Sequence, residues 1–583
     1  MFDRRTCLAA FVWVLVAIRT DWAAEAPRAT ESIQTAAECR TWEVHEIELI
    51  ARRELDKPYV DGLPDSGPAY VTAVFRREDS PAGEGEYRAG GFWDGGRTWR
   101  VRFAPPSPGR WSYRSTSSDP GLNGKTGRFR CVPWNDEQKQ ANPTRRGFVR
   151  VCRTGHRGGR YFEYPDGTPM LWLGDTWWNW TKRTIPLQRF ETLVDDRAEK
   201  GFNVGQLFFP GSGWHPESSL LDETFTRPDL TRIRHVEQMI RYANTKGITV
   251  WVHGWWAEKR MKQRTSEVHM RRWCRYMVHR LGAYNVIWVL AGEYNKYNNG
   301  GLGLDFWKDL GRLIDEEDAY DRIIGAHPAP PTWKGGEEAP QWSTAEVLHD
   351  EPWLDYNQSQ TGHGRWKNEL IPWIVRNAYG RKPAKPIVVT EPWYEFVEGN
   401  PRAADIRFGG WSAVLSGAAG HSYGGGHVWR AHVPESPAAK DIWPLEAKFE
   451  RNTLDYRGAK SLSFMARFLR AVDWWKLEPH PELVHENASR HCAAVPGQEY
   501  VVYLRWGGTV KLDLRPSSVE EKFEFEWIDL TDEKTKRTGT LVGGDIRMVR
   551  PPEDFPRVRH YKDWVLHVVR KSGRSGTPVP DSR

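Results

Sequence analysis

Two glutamates each close a short apolar run. Glu293 follows Val286-Ile287-Trp288-Val289-Leu290-Ala291-Gly292, and Glu391 follows Ile387-Val388-Val389-Thr390. Runs of four or five apolar residues bounded by Gly or Pro read as buried parallel strands. In a (β/α)8 barrel the C-terminal ends of such strands carry the reacting groups. Two carboxylates facing each other across that mouth have the equipment to cleave a glycosidic bond: one attacks the anomeric carbon and the other protonates the leaving oxygen. That use requires the carboxyls to lie about 5–5.5 Å apart. The acid also needs surroundings that favour its neutral form, which Trp rings and the charge of its partner supply. No cofactor is needed. No metal is expected, because the chain has neither an HExxH nor a CxxC pattern.

The residues just past the other apolar runs are of the same chemical kind. Asp175, Trp177 and Trp178 follow the first run, and His253, Trp255 and Trp256 the third. Asn295 stands two residues beyond Glu293, and His327 follows the fifth run. Gln358, Gln360 and His363 come after the sixth, Trp393 and Tyr394 after the seventh, and His421 and Tyr423 after the eighth. Acids, amides, imidazoles and indoles on one face make a sugar site, with hydrogen-bonding groups between flat apolar platforms. These fifteen positions are therefore expected to bind substrate, and Glu395 to hold a neighbour by a hydrogen bond. Ordinary roles compete with this reading: a helix cap for Asp175, and satisfied barrel histidines for His253 and His327.

The elements that must position these groups alternate strand then helix. Strands are expected at Met170–Leu173, Val204–Phe209, Ile248–His253, Val286–Leu290, Ile323–Ala326, Trp353–Tyr356, Ile387–Val389 and Gly420–Tyr423. Helical stripes follow at Leu187–Lys200, around Ile233-Val236-Ile240-Ala243 and at Val268–Leu281, and Leu462–Val472 closes the set. Eight alternations fit a TIM barrel better than a doubly wound sheet. No GxGxxG or Walker sequence follows any strand. Ahead of the barrel, Thr41–Leu49, Tyr70–Phe75 and Trp99–Phe103 read as short strands, with Gly90–Gly96 as a turn. Behind it, Tyr500–Leu504, Val510–Leu514, Phe523–Trp527 and Trp564–Val569 suit a second all-β unit. The expected fold is thus a central (β/α)8 barrel over 145–472, flanked by β-sandwiches over 36–134 and 473–570, with a disordered tail at 571–583.

Residues 1–26 read as a secretory signal peptide. Arg4 and Arg5 precede the apolar stretch Leu8–Ile18, and Ala24-Glu25-Ala26 fits a small-x-small cleavage site. The mature protein is expected to be exported, periplasmic or extracellular, and to lack a membrane span. The net charge of +7 over 583 residues forms no basic stripe, which argues against nucleic-acid binding. Of six Cys, Cys7 leaves with the signal, and the rest are too widely spaced for a disulfide framework. One bridge is possible, but spacing does not choose the pair. Trp is the compositional outlier at 32 copies: about two-thirds are expected in cores and seams, and the rest near the strand ends. Oligomeric state is not legible.

Four segments resemble the apiosidase-like catalytic domain (domain of unknown function 4038; glycoside hydrolase family 140): Tyr161–Trp178, Asn285–Glu293, Leu354–His363 and Gly417–Gly424. The first β unit resembles the sandwich of domain of unknown function 5060 through Gly91–Gly96 and Val101–Pro105. The last resembles the module named collagen-binding, through Trp527-Ile528-Asp529 and Asp563–Leu566. The barrel resemblance implies a retaining hydrolase of a complex plant or algal polysaccharide, with Glu293 as acid/base and Glu391 as nucleophile. Two other readings stay open. One is a non-catalytic carbohydrate-binding or adhesion protein. The other is a transglycosylase, which shares the acid pair and differs in its acceptor.

Overall fold

A computed structural model describes residues 37–571 except 65–66, 82–83, 213–217, 258–260, 297–299, 331–341, 432–450, 486–489 and 553–561. The N-terminal segment read as a signal peptide and the tail after Lys571 lie outside the described residues.

The N-terminal unit is a seven-stranded sheet that folds on itself. Its hinge is the strand Glu86–Trp93. The first half of that strand pairs with Val71–Arg77 and the second half with Thr98–Phe103. Phe75, Phe103, Trp111 and Phe129 fill the space between the layers. Gly90 and Gly91 therefore lie within a strand, where a turn was expected. The reason is close approach: a Cβ on Gly90 would sit 2.2 Å from Nε2 of His279, so its lack of a side chain lets the barrel pack against the sandwich. Cys39 and Cys131 stand opposite each other on the parallel strands Ala37–Arg40 and Thr126–Val132.

The barrel has eight parallel strands: Trp172–Trp177, Val204–Phe208, Thr249–His253, Val286–Val289, Ile324–Gly325, Asn357–Gln360, Ile387–Glu391 and Gly420–Tyr423, called strands one to eight. Every residue in them is buried, since helices cover one face and the barrel interior the other. Inward side chains Trp172, Trp251, Ile287, Val289, Tyr356 and Val388 pack as a floor. Outward ones such as Leu207, Val250, Val252 and Trp288 meet the helices. Those helices include Leu187–Glu199, Leu230–Thr245, Glu267–Leu281, Leu304–Glu317, Ile371–Tyr379, Ala403–Leu415 and Arg457–Ala471. Strands five and six form the seam of the barrel. There the backbone N–H of Asp355 donates to Ile324 O at 3.0 Å, and Ile324 N–H returns a bond to the Asp355 carboxylate at 3.0 Å.

Strand six lies just past the apolar Trp353–Tyr356, which was expected to form it. Its residues Asn-Gln-Ser-Gln carry no hydrophobic signal, and they are held in place by polar bonds. Gln358 N–H donates to the Thr344 hydroxyl (2.9 Å), and Gln358 Nε2 donates to the Tyr356 hydroxyl (2.8 Å).

The C-terminal unit packs a six-stranded sheet and a three-stranded one around Leu504, Leu512, Phe523, Trp527 and Leu566. It docks on the barrel through Arg407, whose guanidinium makes two 2.7 Å bonds to Asp563, and through Trp411 stacked on Tyr503. On its last strand, Trp564–Arg570, His567 lies 2.8 Å from Glu499 and 3.1 Å from Glu526. Burial opposes the imidazolium, but the bonds and charges of the two glutamates outweigh it and push the pKa up to about 9. This is above the unfolded value of about 6.5, so the group's stabilising contribution is complete below that pH and lost as pH rises through 9. The thermal midpoint followed by circular dichroism is expected to fall between about pH 6.5 and 9, and His567→Gln to flatten that fall.

Candidate active site

The two glutamates meet at the C-terminal mouth of the barrel, and both are 6% exposed. Neither arrives by regular strand alternation: the register between strands six and seven shifts at Ser359/Gln360, so Gln360 pairs with Glu391 and Thr390 is passed over. Glu391 is the last residue of strand seven, and its Cα pairs with Gln360 of strand six. Glu293 sits past strand four at φ 44°, a left-handed conformation uncommon for a residue with a side chain. Gly292 before it is enforced by contact, because a Cβ there would lie 2.1 Å from the Trp256 ring. Trp256 can thus cross the backbone and donate from Nε1 to Glu293 Oε2 at 3.0 Å. Gln360 Nε2 donates to Glu293 Oε1 at 3.2 Å, and the Lys296 ammonium bonds Oε2. Gln360 therefore links the pair, with its side chain on Glu293 and its backbone in register with Glu391.

Glu391 has its own donors. His327 donates from Nε2 to Oε2 at 3.0 Å, while its Nδ1 faces the Thr390 hydroxyl at 3.1 Å. His363 presents Nε2 to Oε1 at 3.7 Å, and its Nδ1 accepts from Tyr394 N–H at 3.5 Å, which fixes the tautomer. Burial pushes the His363 pKa down to about 3, so the ring faces Glu391 uncharged. The Tyr394 hydroxyl also bonds Glu391, and it accepts from Trp178 Nε1 at 2.8 Å. Burial first, and then the charge of Glu391, holds that phenol far above its usual range, so it remains a donor.

Beneath the pair, Trp178, Trp251, His253, Trp256 and His327 form a cage of rings with centroids 5.1–6.1 Å apart. His253 stacks on Phe208 and donates from Nδ1 to Trp255 O at 2.7 Å. Burial, followed by nearby His327, lowers its pKa to about 3. Gln358 lies deeper, against Tyr356. At the rim, Asn295 Oδ1 accepts from Ala329 N–H at 2.6 Å, and Trp393 Nε1 donates to the carbonyls of Val397 and Glu398. Among the described residues, no group of three or more His, Cys, Asp or Glu is arranged to hold a metal ion.

Five of the expected site residues face the other way. Asp175 and Trp177 lie on the outer side of strand one, where Asp175 accepts from Arg197 Nε (2.6 Å) and Trp177 packs on Phe190. Both of these partners belong to the helix Leu187–Glu199. Trp255 turns outward to donate to Met270 O, and His421 lies against Gly409. The Tyr423 hydroxyl donates to Glu395 at 2.8 Å, so Glu395 braces the wall of the barrel. In each case the neighbour in sequence, such as Trp178 beside Trp177 or Trp256 beside Trp255, takes the inward position. Lys296 and Thr390 touch the site and were not anticipated. Lys296 carries no motif, and only its spacing of three residues from Glu293 hints at contact.

Known proteins share this fold. Residues 156–476 match the model of the apiosidase-like catalytic domain, and residues 38–118 that of a domain of unknown function (DUF5060). A family 5 glycoside hydrolase from Bacteroides vulgatus ATCC 8482 superposes with a TM-score of 0.63 at 20% identity, covering 73% of this chain and 95% of its own. A second protein from that organism, provisionally named a glycoside hydrolase, covers 92% of this chain and 100% of its own, with a TM-score of 0.67 at 19% identity. At such identities the likeness is one of fold. No curated protein sequence matches the chain. The collagen-binding resemblance of the last unit is not shown by these matches. With more than half its length under one family model, and with a parallel barrel that brings Glu293 and Glu391 to one mouth, the chain belongs to the apiosidase-like catalytic domain family.

Proposed function

We propose that this protein is an exported retaining glycoside hydrolase of a complex plant or algal polysaccharide, with Glu391 as nucleophile and Glu293 as acid/base. One observation carries the reading. Two buried carboxylates at the ends of strands four and seven hang on separate sets of donors, bridged by Gln360.

In the first step a Glu391 oxygen forms a bond to the anomeric carbon as the bond to the leaving oxygen breaks. Glu293 gives its proton to that oxygen. In the second step Glu293 takes a proton from water, which attacks the anomeric carbon and releases Glu391. His327, His363 and Tyr394 aim the Glu391 carboxylate and spread its charge, which makes it a better leaving group in the second step. Trp178 and Trp256 offer ring faces to the sugar, with Asn295 and Trp393 at the rim. The outward positions of Asp175, Trp177, Trp255, His421 and Tyr423 fit a role in bracing the barrel wall.

Incubation with a panel of plant and algal polysaccharides, with the anomer of the first product read by NMR, tests the assignment. Retention of configuration is expected, and inversion would overturn it. Adding an alcohol acceptor separates hydrolysis from transfer.

A further inference from the structure

Although the chain has 32 Trp, Trp366 and Trp373 are the two with strongly exposed rings among the described residues, at 43% and 51%. They are neighbours. Each meets Trp342 edge to face, with centroids 6.3 Å apart at interplanar angles of 88° and 84°. Two of them sit on helical elements, and the third bonds to strand six. Trp366 rides on the helical turn Arg365–Asn368 and Trp373 on the helix Ile371–Tyr379, while the Trp342 carbonyl accepts from the Ser359 hydroxyl of strand six at 2.8 Å. The cluster is tied to the candidate site through the chain. Ser359 precedes Gln360, which touches Glu293, and two residues separate Trp366 from His363, which faces Glu391.

We infer that Trp342, Trp366 and Trp373 form a second saccharide-binding site, which takes pyranose rings of the polymer outside the catalytic mouth. The assignment deepens the hydrolase reading and rests on it for the choice of ligand. An exposed indole offers a flat apolar face, with an N–H at its edge, that suits the C–H face of a sugar ring. Lys367 Nζ lies 5.8 Å from the Trp366 ring centroid, and Asn377, one helical turn beyond Trp373, is exposed; both are donors for hydroxyl groups. Area decides against a protein partner. A fully buried Trp hides about 150–250 Å², so two half-exposed rings together offer about that of one, whereas stable protein interfaces bury about 1,200–2,000 Å². One or two sugar rings match that size.

The test uses the full chain carrying Glu391→Gln, run on native gels cast with xylan, pectin, galactan, mannan or alginate. At least one polymer is expected to retard this parent. Adding Trp366→Ala and Trp373→Ala is expected to weaken that retardation by tenfold or more, while Trp366→Tyr with Trp373→Tyr keeps most of it. Circular dichroism melts check that each variant is folded. Equal retardation of the Ala variant and the parent, or no retardation by any polymer, would overturn the site. Product release by the unsubstituted protein is scored separately. Loss of retardation without any hydrolysis would spare this site and remove the catalytic reading, and hydrolysis with unchanged retardation would do the reverse.

Discussion

Glu391→Ala is expected to lose activity on every substrate, with kcat down by several orders of magnitude. The residue makes the bond that both steps share, so no choice of leaving group rescues it. A small anion such as azide fits the space left and is expected to restore some turnover on activated substrates, with an inverted glycosyl azide as product. Glu293→Ala is expected to differ in kind. General acid–base help is worth about 10²–10⁴ in rate, and that loss falls on substrates whose leaving oxygen needs a proton. Aryl glycosides with acidic phenols do not need one, so their first step is expected to survive and the covalent intermediate to accumulate. Steady-state rates on two leaving groups, with mass spectrometry of the intact protein, check both outcomes. Near-normal turnover by Glu391→Gln would sink the retaining assignment.

The second large effect is on stability. The side chains of Asp175 and Arg197 are both fully buried, joined at 2.6 Å between strand one and the helix Leu187–Glu199. Burial raises the Asp175 carboxyl, and Arg197 opposes that rise by charge and hydrogen bonding. Removing one partner leaves the other charge buried and alone, which costs about 3–5 kcal/mol. Arg197→Ala is therefore expected to lower the thermal midpoint on the order of 10 °C, at roughly 2–4 °C per kcal/mol for a unit of this size. Replacing both with apolar residues, as in Asp175→Leu with Arg197→Met, is expected to recover most of that loss. The same double variant separates bracing from binding, because a wall-facing pair leaves KM unchanged in the folded enzyme. A tenfold rise in KM at unaltered stability would return Asp175 to the substrate.

Strands four and seven could be read from sequence because β-branched and aromatic runs between Gly and Pro permit little else. Strand six could not, because its four residues are all polar: they pair with strand seven through the backbone, and Gln358 is held by bonds to Thr344 and Tyr356 rather than by apolar burial. The site was half legible for a related reason. A half-exposed strand shows its phase by alternating apolar and polar residues, but barrel strands are buried on both faces and the phase is silent. Asp175, Thr176, Trp177 and Trp178 all suit a sugar site by type, and only the assembled barrel sends Trp178 inward and Trp177 to Phe190. The expectation that most Trp lie in cores and seams agrees with the structure, where indoles such as Trp99, Trp180, Trp273 and Trp307 are fully buried.

The strand Trp564–Arg570 occupies the middle of the six-stranded sheet, between Glu499–Leu504 and Lys522–Asp529. Among the described residues it is also the last element in chain order, and Asp563 just before it anchors Arg407 of the barrel. During synthesis, the ribosome must therefore finish Arg570 before this sheet can close. Until then two strand edges stand open, and a buried guanidinium on the barrel waits for its counter-charge. A chain cut short before Trp564 keeps both open edges permanently and offers them to other chains for aggregation.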